Sequence, residues 1–311
     1  MRVASNSFAN DLVRHLQMLN RRQSTLQTQI SSGQRIQDAS DDPLAAQRVL
    51  ALRDNSAATD QYQNNIQSHE DFANITASSL QNLQKILNRV QEIAVSVDDL
   101  ASKEDLQSKG AEVAELLKQA VQIGNTQFRG EYIFSGTKVD LAALSTTVDA
   151  DKRVQAVAFG GNNSEMESEV APGVTLSSRI PAENSSGSGT VGLFADSRSG
   201  ADLFKHLVDL QNQLLNGDAA TIQSTTNNDL KKDEENLLYH VASNGALQSR
   251  LETLSSTNKD QKLALENDIS KYADTDISQA IVRLSQQQTA YQATLQSAAS
   301  MMNLSLLSYL R

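Results

Sequence analysis

From Tyr62 onward the chain places Tyr62, Ile66, His69, Ala73, Thr76, Leu80, Leu83, Leu87, Val90, Ala94 and Val97 at alternating steps of four and three residues. A 3.5-residue period held over five heptads marks a helix that buries one narrow seam against a partner helix. Phe72, Ile86, Ile93 and Leu100 form a flanking row that widens the stripe. Asp41-Asp42-Pro43 supplies the start: an Asp cap, then a proline at the first helical position, where a missing N–H costs nothing. A helix from Pro43 to about residue 100 would be about 87 Å long at 1.5 Å per residue. No single globular core wraps a rod of that length, so the pattern demands partner helices along it.

The rest of the chain offers those partners. Leu12, Leu16, Leu19, Leu26 and Ile30, with Gln23 in the remaining position, form a second heptad seam. Gly33 ends it, able to take the left-handed conformation that stops a helix. Leu106, Val113, Leu116, Leu117, Ala120 and Ile123 predict a helix over 104–123, running back antiparallel after a polar turn. At Gly124 the composition changes: eleven of the fourteen glycines and two of the three prolines fall between Gly124 and Gly217. Strands are expected at Glu131–Phe134, Val154–Phe159 and Val174–Leu176, with a turn at 160–163 and a mobile Ser/Gly-rich loop at 184–192. Helices resume with Leu203, Leu207, Leu210 and Leu214. A long helix follows from about Asp218 through Leu230, Leu237, Val241, Leu247, Leu251, Leu254, Gln261, Leu265, Ile269 and Tyr272. Asp274-Thr275-Asp276 interrupts it and caps a last helix, whose seam reads Ile277, Ile281, Leu284, Gln288, Tyr291, Leu295, Ala298, Met302 and Tyr309.

The expected fold is therefore mainly α with a small β-rich insert (α+β): an elongated antiparallel helical bundle, terminal helices paired, with the β domain at its distal end. Residues 1–40 and 275–311 would be terminal coiled-coil helices, 41–129 and 201–274 a long helical rod, and 130–200 the insert. The terminal helices are open to two readings. They could pair within one chain, or gain order only when many subunits pack side by side, since a lone two-helix coil is marginal.

Charge and composition exclude much else. Residues 1–36 carry five arginines against Asp11, and residues 277–311 carry two arginines and no acid. These ends, at +4 and +2, leave −16 for residues 37–276 of the net −10. No dense basic stripe with aromatics appears, so nucleic-acid binding is not expected. There is no cysteine, hence no disulfide or thiolate metal site. No run of about 18 apolar residues predicts membrane insertion, and the first residues have no apolar core of signal-peptide length. His15, His69, His206 and His240 are scattered, with no HExxH, P-loop, GxSxG or GxGxxG pattern. Asp41-Asp42 reads as a cap rather than a catalytic carboxylate pair. No catalytic residue, cofactor or metal ligand is expected.

Three blocks carry a resemblance to a known family. They are Ser31-Ser32-Gly33-Gln34-Arg35-Ile36 with Ser40-Asp41-Asp42-Pro43; Asn125–Thr137, including Gly130-Glu131-Tyr132-Ile133-Phe134; and Ser285–Ala293 with Met302–Leu307. They resemble the flagellin and hook-associated protein superfamily. Pro43 and Tyr132–Thr137 look more like the branch that joins hook to filament than like flagellin, the alternative. The resemblance implies a structural, non-enzymatic subunit of the extracellular bacterial flagellum, exported without a cleaved signal by the flagellar type III apparatus. Its implied partners are other copies of itself in a ring, the first hook-associated protein on the hook side, flagellin on the filament side, and a cytosolic export chaperone on the C-terminal helix. The expected assembly interface comprises Leu12, Leu16, Leu19, Leu26, Ile30, Ile281, Leu284, Tyr291, Leu295, Met302 and Leu306, and the expected elbow between helices Gly33, Asp42 and Pro43.

Overall fold

The computed structural model describes the backbone of residues 2–98 and 101–309 and the side chains of 10–98 and 101–300. In chain order the helices are α1 (Arg2–Ser32), α2 (Pro43–Val95), α3 (Lys103–Gly124), α4 (Leu203–Asn216), α5 (Ala219–Thr221), α6 (Asn227–Ala273) and α7 (Ile277–Tyr309). Residues 60–259 form one compact unit, and the described residues before and after them form another.

In the unit of residues 60–259, the heptad seam of α2 is buried as its spacing predicts: Ile66, Ala73, Val90 and Ala94 expose no surface. Leu100 of the flanking row lies outside the described residues. Leu83, Leu87 and Val90 of α2 join Val113 and Leu117 of α3, Leu207, Leu210 and Leu214 of α4, and Leu230 and Leu237 of α6 in one core. Antiparallel α2 and α6 are also stitched by polar side chains: Gln63 Nε2 donates to Ser255 Oγ at 3.0 Å, Asn244 Nδ2 to the Ala73 carbonyl at 3.0 Å and Gln91 Nε2 to Glu234 at 2.9 Å. The helix expected from Asp218 starts differently. The three residues of α5 lead into a π-helical turn, Ile222–Thr226, which shifts the helical phase at the start of α6.

The strands are short and paired locally: β1 (Gln127–Phe128) with β2 (Glu131–Tyr132), β3 (Leu144–Val148) with β4 (Val154–Phe159), and β5 (Ser168–Ala171) with β6 (Val174–Leu176), all antiparallel. Then β7 (Glu183–Asn184) lies parallel to β8 (Ala195–Asp196), which pairs antiparallel with β9 (Ala201–Asp202). The expected strand at Glu131–Phe134 is cut short because Ile133 and Phe134 turn fully into the core. The loop expected to be mobile folds back on a buried side chain: Asn184 Nδ2 donates to the carbonyls of Ser188 at 2.8 Å and Thr190 at 2.6 Å. Asp196, buried in β8, accepts from Arg198 Nη2 at 2.7 Å and the Gly192 amide at 3.0 Å, and the Arg198 guanidinium holds its carboxyl far below the usual carboxylate range.

The seam of α6 is unusually polar. His240 Nε2 hydrogen-bonds the Gly192 carbonyl at 3.1 Å. His69 on α2 lies between Ser178 Oγ at 2.8 Å and Ser168 Oγ at 2.7 Å. Burial lowers the pKa of both imidazoles below the ordinary histidine value, and the Arg179 charge adds to this at His69. Both are thus neutral in the folded chain but take a proton in the unfolded one below about pH 6.5. Their contribution is intact above that pH and is lost as pH falls. His206 has the opposite sign: despite burial, its bond to Asp233 raises its pKa, so its contribution is lost as pH rises above the ordinary value. Relative to the unaltered chain, His240→Gln is therefore expected to raise the urea midpoint at pH 5 against its value at pH 7. An unchanged pH profile in the variant would contradict the assignment.

Candidate assembly interface

The remaining unit is built by α1, the elbow after it, the opening of α2, the end of α6, and α7. The stretch 33–42 is a clasp rather than a free loop. Gly33 stands at φ 71°, where a side chain would be strained, and its carbonyl accepts the Thr275 amide at 2.8 Å. The Arg35 amide donates to the Ala273 carbonyl at 2.7 Å, so Gln34 and Asp274 form a short antiparallel bridge. The Arg35 side chain donates to the Tyr272 carbonyl at 2.9 Å and to Asp42 at 3.2 Å. Asp42 caps α2, accepting the Ala45 amide at 3.1 Å, directly before Pro43. The Ala45 amide, with help from Arg35, holds its carboxyl below the usual carboxylate range. Arg48 lies 5.5 Å over the Tyr272 ring. Asp276 accepts the Gln279 amide at 3.1 Å and so starts α7. Gly33, Asp42 and Pro43 are readable from sequence as stop and start signals. Arg35, which ties the two chain reversals together, stands out there only as part of a block.

Beyond this clasp α1 packs against α7. On α1 the seam is the expected one: Leu19 is buried, and Leu12, Leu16, Gln23, Leu26 and Ile30 are half-buried. On α7 the line facing inward is Ala280 and Ala298, buried, with Leu284, Gln287, Tyr291 and Thr294, half-buried. It shares Leu284, Tyr291 and Ala298 with the expected seam but replaces Ile281, Gln288 and Leu295 by the residues just before them. The physical reason is fit: the small side chains of Ala280, Thr294 and Ala298 admit the α1 leucines, and Gln287 Nε2 reaches the Leu19 carbonyl at 3.3 Å. Ile281 and Leu295 are consequently 52% and 43% exposed, beside Ile277 and Val282 at 49% and 56%. Thus α7 has a second apolar face that α1 does not cover. The side chains of Met302 and Leu306 lie outside the described residues.

The pair is thin. Leu19 is the one α1 seam side chain below a tenth exposed among the described residues, whereas the 60–259 unit has a large apolar core and a second, smaller one. Limited proteolysis of the purified chain is expected to cut α1 and α7 before any site within 60–259. Equal resistance of both units would contradict this. Among the described residues no group of three His, Cys, Asp or Glu side chains could hold a metal ion, and no helix is long and apolar enough to cross a membrane.

Comparison with known proteins gives a consistent pattern. The family described as the bacterial flagellin N-terminal helical region matches residues 3–139. The flagellar hook-associated protein 3 of Escherichia coli is 26% identical over 293 residues, spanning 89% of this chain and 90% of that protein. The flagellar filament 30.7 kDa core protein of Treponema maltophilum is 32% identical over 109 residues, but these span only 34% of this chain and 38% of that protein. The crystal structure of the flagellar hook-associated protein-3 of Legionella pneumophila superposes with a TM-score of 0.59 at 14% identity, covering 72% of this chain and 98% of that one. At that identity the last likeness speaks for the fold.

Proposed function

We propose, from the premise that the chain belongs to the flagellin and hook-associated protein superfamily, that it is a structural subunit of the bacterial flagellum. Its place is the junction between hook and filament, as the base on which flagellin polymerises. The observation that carries this is the match along nearly the whole length of a hook-associated protein 3. The filament core protein, by contrast, matches over about a third of the chain. Flagellin itself is thereby the weaker reading.

The finer picture comes from the helices. Residues 1–40 and 275–311 form the assembly layer: α7 of the same chain takes the α1 seam, and neighbouring copies cover Ile281 and Leu295, which α1 leaves exposed. The uncovered apolar face of α7 suits both a neighbouring copy in a ring and, before export, a cytosolic chaperone. The first hook-associated protein and flagellin are the neighbours on either side, and export through the flagellar type III apparatus places the subunit outside the cell. The role is mechanical, without catalysis, cofactor, nucleic acid or membrane insertion. Immunogold labelling of isolated hook–filament complexes is expected to mark a single band where hook meets filament. Label along the whole filament would instead identify a flagellin.

A further inference from the structure

Between α1 and α7 runs an open groove of about 630 Å³, lined by Met18, Arg21, Arg22, Leu26, Arg283 and Ala290 among others. Its three guanidinium groups have no carboxylate partner among the described residues. Residues 277–311 contain no acid, and the one acid of residues 1–36, Asp11, is paired with Arg14. The elbow carries the opposite surplus. Asp38, Asp41, Asp274 and Asp276 are all exposed, and their described bonds come from backbone amides and Ser270, not from cations. Arg35 is engaged by Asp42. Groove and elbow lie roughly 10–15 Å apart along α1 and α7, beyond ion-pair reach within one copy.

We propose that the arginine groove of one copy receives the aspartate-rich elbow of a second copy. Basic groove and acidic elbow are different patches of one chain, so the contact is heterologous and repeats from copy to copy. That geometry closes into a ring or continues as a helix. The apolar floor of Met18, Leu26 and Ala290 gives the contact area, and the unpaired charges set its direction and reject like-charged alignments. This rests on the reading of the chain as a ring-forming flagellar subunit and names the surfaces by which copies meet.

The test is complementation of a strain deleted for this gene with full-length variants, scoring filaments by electron microscopy and the exported subunit in the medium. Arg21→Glu/Arg22→Glu and Asp38→Lys/Asp41→Lys are each expected to reach the medium yet lower the fraction of filament-bearing cells at least tenfold. Combining all four changes is expected to restore at least half of that fraction. Arg283→Glu, on the other wall, repeats the test should the double arginine variant lose helicity by circular dichroism. Normal filaments with either reversal alone would overturn the proposal. So would a combined variant no better than its parents, which would mean that another acidic protein occupies the groove. An arginine variant absent from the medium would also overturn it, placing the groove in export. If the deletion strain itself keeps its filaments, the flagellar-junction reading has failed, not the pairing of groove and elbow.

Discussion

Leu19→Asp should pull the two terminal helices, α1 and α7, apart. Leu19 is 6% exposed at the centre of the α1 seam, against an α7 whose facing positions are Ala, Leu, Gln, Tyr and Thr. The change loses about 2 kcal/mol of apolar burial and adds the desolvation of a carboxylate, for a total of about 3 kcal/mol or more. A two-helix pair has little more than that to lose, because helices of this length are marginal alone. The expected result is rapid proteolysis of α1 and α7 with the melting of residues 60–259 unmoved, and in cells an exported subunit with bare hooks. Leu19→Met, which conserves volume, should cost less than about 1.5 kcal/mol and leave filaments in place. Cleavage of α1 and α7 in Leu19→Asp no faster than in the unaltered chain would show that the seam contributes nothing.

The second large effect is expected at Gly192, in the other unit. A Cβ there would stand 2.2 Å from the Ala195 carbonyl oxygen and 2.4 Å from the Asn184 amide nitrogen, both backbone atoms that cannot step aside. Gly192 is also the knot that joins the β7–β9 sheet to α6: its amide donates to Asp196 at 3.0 Å, and its carbonyl accepts from Asn236 at 2.9 Å and from His240 at 3.1 Å. Gly192→Ala is expected to cost about 3 kcal/mol, the upper range for overpacking, and to lower the melting temperature of this unit by about 10 °C. Gly245→Ala is the control. It lies within α6 with nothing within 4 Å of the added methyl, so it should be neutral or stabilising by up to about 1 kcal/mol. Equal melting curves for the two variants would contradict the packing described.

These two sites also show what sequence pattern can and cannot reveal. The α2 seam is legible residue by residue from Tyr62 to Val97 because one apolar stripe dominates it. On α7 two stripes compete. Hydrophobicity favours Ile281 and Leu295, but packing selects Ala280 and Thr294, whose small size matters only once α1 is opposite. On α6 the stripe is broken by polar residues that belong inside: Asp233, Asn236, His240, Asn244 and Asn258 are all buried, while Gln261, expected on the seam, is exposed. Each gains its place from a partner on another element, which periodicity does not register. The strands β7, β8 and β9 have two residues each, too few for any alternation to show. At the elbow, Gly33 and Asp42-Pro43 are readable as local backbone chemistry. The clasp made by Arg35 is not, since its acceptor is the Tyr272 carbonyl, 237 residues away.

Deleting this gene and examining the cells by electron microscopy, with the culture medium blotted for flagellin, decides whether the chain is a junction subunit. Bare hooks with flagellin shed into the medium are expected, and filaments restored when the intact gene is returned. Bare hooks with no flagellin in the medium would make this chain the filament protein itself, and intact flagella would remove it from the junction altogether.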